Sequence, residues 1–150
     1  MHDLERARRE VYPMVNVKVQ EYCENLFSGY LKRTENFSYK PVLLHADISP
    51  EHILYDERMG EIVGIIDFGD IAIGDPDYDL MYLYADYGND FIYRLLEHHR
   101  VEDYDRLFEK LEFFLECNTI HDVLIGIAYG DHEILTDSLR NLNEQAEKLG

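Results

Sequence analysis

Apolar and polar positions repeat along this chain with two different periods, and the change of period marks its organisation. Residues 2–12 are charged and helix-favouring, and Pro13 interrupts them. From Val15 the run VNVKVQEYCENLFSGYLKR spaces Val19, Tyr22, Leu26 and Tyr30 by threes and fours, the repeat of one helix face. A polar loop over 36–39 follows, and then the helical period disappears. PVLLH, HILYD and EIVGIIDF are short apolar, β-branched runs; the last two, joined by a turn around Glu57 to Gly60, predict a β-hairpin. The helical period returns at Tyr78 to Tyr87, with Leu80, Tyr84 and Tyr87 on one face. Gly88 and Asn89 end or kink that helix before 91–98 continues it. Leu107, Leu111, Phe114 and Leu115 define an amphipathic helix over 103–117; 121–129 is a more apolar, more buried segment, and 131–148 is a last helix. The prediction is an α+β fold, mainly α-helical, with a small β-hairpin. No glycine-rich or Ser/Pro linker divides it, so residues 1–150 are expected to form a single domain.

Composition narrows the functional classes. Thirty-one acids against fourteen bases give a formal charge of −17, which opposes binding to nucleic acid or to anionic membranes and suits a cationic partner. No apolar run reaches transmembrane length and no signal peptide opens at Met1, so a soluble, cytoplasmic protein is expected. Cys23 and Cys117 stand in amphipathic patterns without CxxC or metal spacing and are read as reduced thiols.

The chemistry is concentrated between Pro41 and Leu80. PVLLH rises as a strand into a loop bearing His45, Asp47 and His52, and the hairpin brings Asp67 back beside that loop. Two acids twenty residues apart thereby converge. Phosphoryl transfer needs a carboxylate to orient and accept the proton of an attacking hydroxyl, and ligands to hold Mg²⁺ against nucleotide phosphates. Asp47 suits the first task and Asp67 the second. Asp75, Pro76 and Asp77 read as a helix start, with Asp79 in its first turn, while Asp70 is a candidate for contacting a cationic substrate.

HADISPEH resembles the HxDxxxxN catalytic loop of the aminoglycoside and small-molecule phosphotransferases, relatives of the protein kinases, and IIDFGD resembles their metal-binding segment. The aminoglycoside 2''-phosphotransferase branch is more similar still: it too has His where most relatives have Asn, and continues IIDFGDxAIxDPDYD, against IIDFGDIAIGDPDYD here. The resemblance implies Asp47 as catalytic base, Asp67 as principal Mg²⁺ ligand, His52 as a second metal-site residue, and His45 as a structural brace. It also implies ATP or GTP as donor, and a kinase-like C-terminal lobe. Family members form the substrate cleft partly from the helices after this segment, which makes Tyr82 and Asp86 possible contacts. The branch has an acidic residue where this chain has Tyr84 and Ala85; Asp86 falls one residue later, about 100° around a helix.

An absence sets the remaining expectation. No glycine-rich phosphate loop, VAIK-type lysine or GxxxxGK[ST] sequence occurs in these residues. The chain resembles a C-terminal lobe without its nucleotide-binding N-terminal lobe, and fragment, truncated product and half of a two-chain enzyme stay open. Weak or no activity is expected of the chain alone. Two other readings compete with phosphotransfer to a small hydroxylated, cationic molecule such as an aminoglycoside. One is an inactive acidic binding module. The other is a metal-dependent hydrolase using His121 and Asp122 with His98, His99 or Asp131.

Overall fold

The computed structural model describes residues 2–148, which fall into two compact units. One comprises the residues up to Phe37 together with those from Glu116 on; the other is Ser38–Leu115.

In the first unit, α1 (His2–Arg6) does not continue as one α-helix to Pro13. It widens into a π-helical turn over Ala7–Val11 and ends in a 3₁₀ turn, Tyr12–Met14, with the proline in its first turn. The missing proline N–H costs nothing at that position. Helix α2 (Val17–Leu31) is capped by Asn16, whose side chain accepts from Val19 N at 3.0 Å. Its buried stripe is Val19, Tyr22, Cys23 and Phe27; the expected Leu26 is only half-buried, one position off the stripe's centre.

Tyr104–Tyr129 forms one continuous helix, α4, where the sequence pattern predicted two; Asn118 and Thr119 are polar but break nothing, so burial on both sides carries the helix through them. It closes at Gly130, φ 66°, and the Asp131 side chain then caps α5 (His132–Lys148) by accepting from Glu133 N and Ile134 N. Ile120, Val123 and Leu124 of α4 and Leu142 and Ala146 of α5 are buried. The two helices cross closely: a Cβ on Gly126 would lie 2.8 Å from the Leu135 backbone. Lys18–Glu147 at 3.2 Å and Asn16–Asn143 at 3.4 Å join α2 to α5 at the surface.

The second unit carries the strands. The predicted hairpin is present as β2 (Ile53–Asp56) and β3 (Glu61–Ile65), with a register shift between Leu54 and Tyr55. Asp56 Oδ1 accepts from Arg58 N and Met59 N, and Gly60 closes the turn at φ 69°. A second pair escapes the sequence pattern: β1 (Val42–Leu44) runs antiparallel to β4 (Ala72–Gly74), with Leu43 opposite Ile73. Three residues are too few to show a period. Pro76–Leu80 is a 3₁₀ turn capped by Asp75, so α3 (Met81–Leu95) starts later than Tyr78 and ends before His98. Gly88, at φ 71°, kinks it where predicted. Leu83 and Ile92 of α3 pack with Leu107, Phe108 and Leu111 of α4 as the core.

Candidate active site

The loop after β1 is held by an aspartate from elsewhere in the unit. His45 N and Ala46 N donate to the two oxygens of Asp79, at 3.0 and 2.7 Å. Both bonds are charge-assisted, and together they hold Ala46 at φ 67°, a conformation that costs a non-glycine residue about 1–2 kcal/mol. His45 is buried, and its Nε2–H donates to Ile66 O at 2.9 Å, tying the loop to the end of the hairpin. Its ring lies 4.6 Å from that of Phe68 and stacks on that of His52 at 5.9 Å.

His52 closes a 3₁₀ turn, Pro50–His52, that points its ring back into the loop. Nδ1–H donates to Asp47 O at 2.6 Å, with Asp47 Oδ2 at 3.6 Å; on the other side, Nε2 lies 3.8 Å from Asp67 Oδ2. The hydrogen bond to the Asp47 carbonyl, helped by the charges of Asp47, Asp67 and Glu51, raises the His52 pKa above its ordinary 6.5. Asp67 itself sits at φ 62°, in the left-handed region that Asp tolerates better than most residues, and its side chain is 65% exposed. The structure thus brings Asp47, His52 and Asp67 together around one imidazole.

The other predicted positions are placed as follows. Asp70 and Asp86 are exposed, the first just past Gly69 and the second on α3; Tyr82 is half-buried in the first turn of α3. Asp75 is the predicted cap, accepting from Asp77 N at 3.1 Å, but Asp79 serves the His45–Ala46 backbone instead of capping. His121 is exposed, and burial pushes the Asp122 carboxyl above its usual range. Among the described residues no three His, Cys, Asp or Glu side chains form a group that would hold a metal by themselves. Burial pushes the Cys23 thiol up to about 12, far from a reactive thiolate.

Two participants are not evident from sequence reasoning. One is the role of Asp79, whose only signal is an extra acid inside the turn. The other is Lys110, buried on α4, with Nζ 2.7 Å from Asp75 Oδ2 and also paired with Asp77 Oδ2, and 5.7 Å from the Tyr39 ring. The Asp75 contact is an ion pair and not an aligned hydrogen bond. A lysine three residues after Leu107, on the apolar face of α4, is the trace such a buried pair leaves in a sequence.

Helices packed around a short loop, with a hairpin returning an aspartate to it, define a kinase-like lobe, and comparison with known proteins agrees. Residues 3–113 match the model of the phosphotransferase enzyme family. The chain is 30% identical to aminoglycoside 2'-phosphotransferase-IIIa in its GDP complex, at a TM-score of 0.88 over 99% of this chain. It is likewise 30% identical to the GDP and kanamycin complex of APH(2")-IIia, at 0.87 over 97%, and 25% identical to the gentamicin complex of APH(2")-IIa, at 0.78 over 97%. It spans 50% of the length of each of these three chains. The protein belongs to the phosphotransferase enzyme family. Its mainly helical fold, with small antiparallel strand pairs, is that of the aminoglycoside phosphotransferase C-terminal lobe, as HADISPEH and IIDFGD led one to expect.

Proposed function

We propose that this chain supplies the acceptor side of a nucleotide- and Mg²⁺-dependent O-phosphotransferase acting on a small, hydroxylated, cationic molecule of the aminoglycoside class. One observation carries the reading: Asp47 and Asp67, far apart in sequence, face opposite nitrogens of the same imidazole at 3.6 and 3.8 Å. Asp47, 37% exposed, orients the acceptor hydroxyl and takes its proton as the acceptor oxygen bonds to the γ-phosphorus and the nucleoside diphosphate leaves. The donor set fits Mg²⁺, which prefers one or two carboxylates completed by water and phosphate oxygens over an all-protein cage. Asp67 would hold the ion, with His52 beside it; when bound, Mg²⁺ neutralises phosphate charge. His52 also fixes the loop through its bond to the Asp47 carbonyl, and His45 braces the same loop from its buried side.

Asp70, Tyr82 and Asp86 are proposed substrate contacts, and the acidity of the chain favours an acceptor bearing ammonium groups. The GDP, kanamycin and gentamicin complexes of similar proteins support a nucleotide donor, ATP or GTP, and an aminoglycoside acceptor. No helix among the described residues is long and apolar enough to cross a membrane, and we place the protein in the cytoplasm, with its donor. The chain spans half of its relatives' length, and on this reading the residues described here meet nucleotide from one side, with turnover calling on the whole fold.

The test is calorimetric titration of the chain with Mg²⁺ and a non-hydrolysable GTP or ATP analogue. Binding that disappears in Asp67→Ala is expected; equal binding by the variant overturns the metal assignment. A second reading, an acidic module that sequesters cations without turnover, draws on the charge of −17 and the half-length match. Kanamycin binding unchanged in Asp47→Ala, with no phosphoryl transfer even when the other half is supplied, would favour it.

A further inference from the structure

We infer that Lys110 is a positioning residue for the loop that carries Asp47, acting through the turn over 75–80. The inference rests on the proposed reading of that loop as catalytic. Ala46 precedes Asp47 and is held at φ 67° by its N–H bond to Asp79; released, it relaxes out of the left-handed region and swings the next side chain away from His52. Beside the His45 and His52 bonds, the placement of Asp47 therefore depends on Asp79.

Asp79 sits in a five-residue 3₁₀ turn, Pro76–Leu80, whose backbone and cap bonds are short-range: Tyr78 N to Asp75 O at 3.0 Å and Asp77 N to Asp75 Oδ1 at 3.1 Å. These fix the shape of the turn. Its place against α4 is held by the Tyr78 ring, 5.2 Å from that of Phe114, by Leu80 against the core, and by the charges around Lys110. The Lys110 ammonium, on a side chain only 5% exposed, lies between Asp75 and Asp77, the cap and the second residue of the turn, and α4 anchors it from the core side. An ammonium met by carboxylates from two successive points of a turn fixes the turn's orientation as well as its distance.

The arrangement is also self-enforcing. Asp75 is 8% exposed, and a buried carboxylate without its cation is strongly disfavoured, so the turn cannot drift from α4 without stranding a charge. The path runs from Lys110 to Asp75 and Asp77, along the turn to Asp79, and from both Asp79 oxygens to the His45 and Ala46 amides. A lysine serving local stability alone requires no such path to the loop.

Native-state amide hydrogen exchange followed by NMR on the whole chain separates the two cases, using Lys110→Met, Asp79→Asn and the double variant. In Lys110→Met the His45 and Ala46 amides are expected to exchange about tenfold faster, as loss of charge-assisted bonds predicts, while those of Val123 and Leu142 keep their rates. In the Asp79→Asn background the lysine substitution is expected to add less than about twofold, because both changes cut the same path. Independent, multiplying effects, or unchanged His45 and Ala46 amides beside faster exchange within 77–80, would overturn the inference. Should Lys110→Met fail to fold, Asp77→Asn removes one arm of the pair, and unchanged loop amides in that variant count equally against it. These amide rates do not depend on the proposed chemistry: if that is wrong, the wild type shows the same exchange pattern without binding Mg²⁺–nucleotide.

Discussion

At the scale of single residues, the site is a set of charges arranged around one imidazole. If Asp47 is the base, as proposed, Asp47→Ala should lower kcat by about 10²–10⁴ in the assembled enzyme, the usual contribution of a positioned base, with kanamycin as the test acceptor. His52 supplies a pH signature. Its pKa is raised in the folded chain, so the stabilisation it brings is complete below its ordinary value of 6.5 and is lost as pH rises through the folded value. Unfolding midpoints of wild type and His52→Gln should therefore differ most below pH 6.5 and converge as pH rises through the folded value. Asp67→Asn should bring the His52 titration, followed by NMR, back towards 6.5. The grouping of Asp47, His52 and Asp67 is legible in the sequence because their spacing is the motif itself. Asp79 and Lys110 are not, because their roles depend on which backbone and which carboxylate lie opposite, and spacing along one element carries no record of a partner thirty or more residues away.

At the scale of elements, periodicity recovered the helices and the hairpin and failed where an element is too short or too continuous to show a boundary. Strand β4 has three residues, and its pairing with β1 is a long-range choice that neither run displays by itself. Helix α4 passes through Asn118 and Thr119 because helix propensity there is adequate and tertiary burial supplies the rest. The α4–α5 crossing makes a specific demand instead. Gly126→Ala would push a methyl group into the Leu135 backbone, which has no flexible end to give way. A loss of about 1–3 kcal/mol is expected, read as a lower midpoint in urea. Asn16→Ala, which removes the α2 cap, should cost about 1 kcal/mol in the same assay.

At the scale of the whole molecule, two features oppose each other. The charge of −17 drives the chain towards expansion and keeps copies apart, so added salt should raise the thermal midpoint by on the order of a few degrees, as screening relieves that repulsion. Against this, twelve large apolar side chains between Val42 and Ile73 are exposed, Leu43 at 70% and Ile73 at 79% among them. In β3, four of five residues are exposed, so both of its faces are open, and a two-stranded hairpin has little stability of its own in water. The chain spans 50% of the length of the similar phosphotransferase.

The open strands have a cellular consequence. To a chaperone or protease, an apolar β-ribbon in water is the mark of a polypeptide whose synthesis or folding is incomplete. Produced by itself, this chain would be held and degraded as an unfinished protein however well its helices pack. Its steady-state abundance would then follow the exposure of residues 42–73 more than the free energy of unfolding.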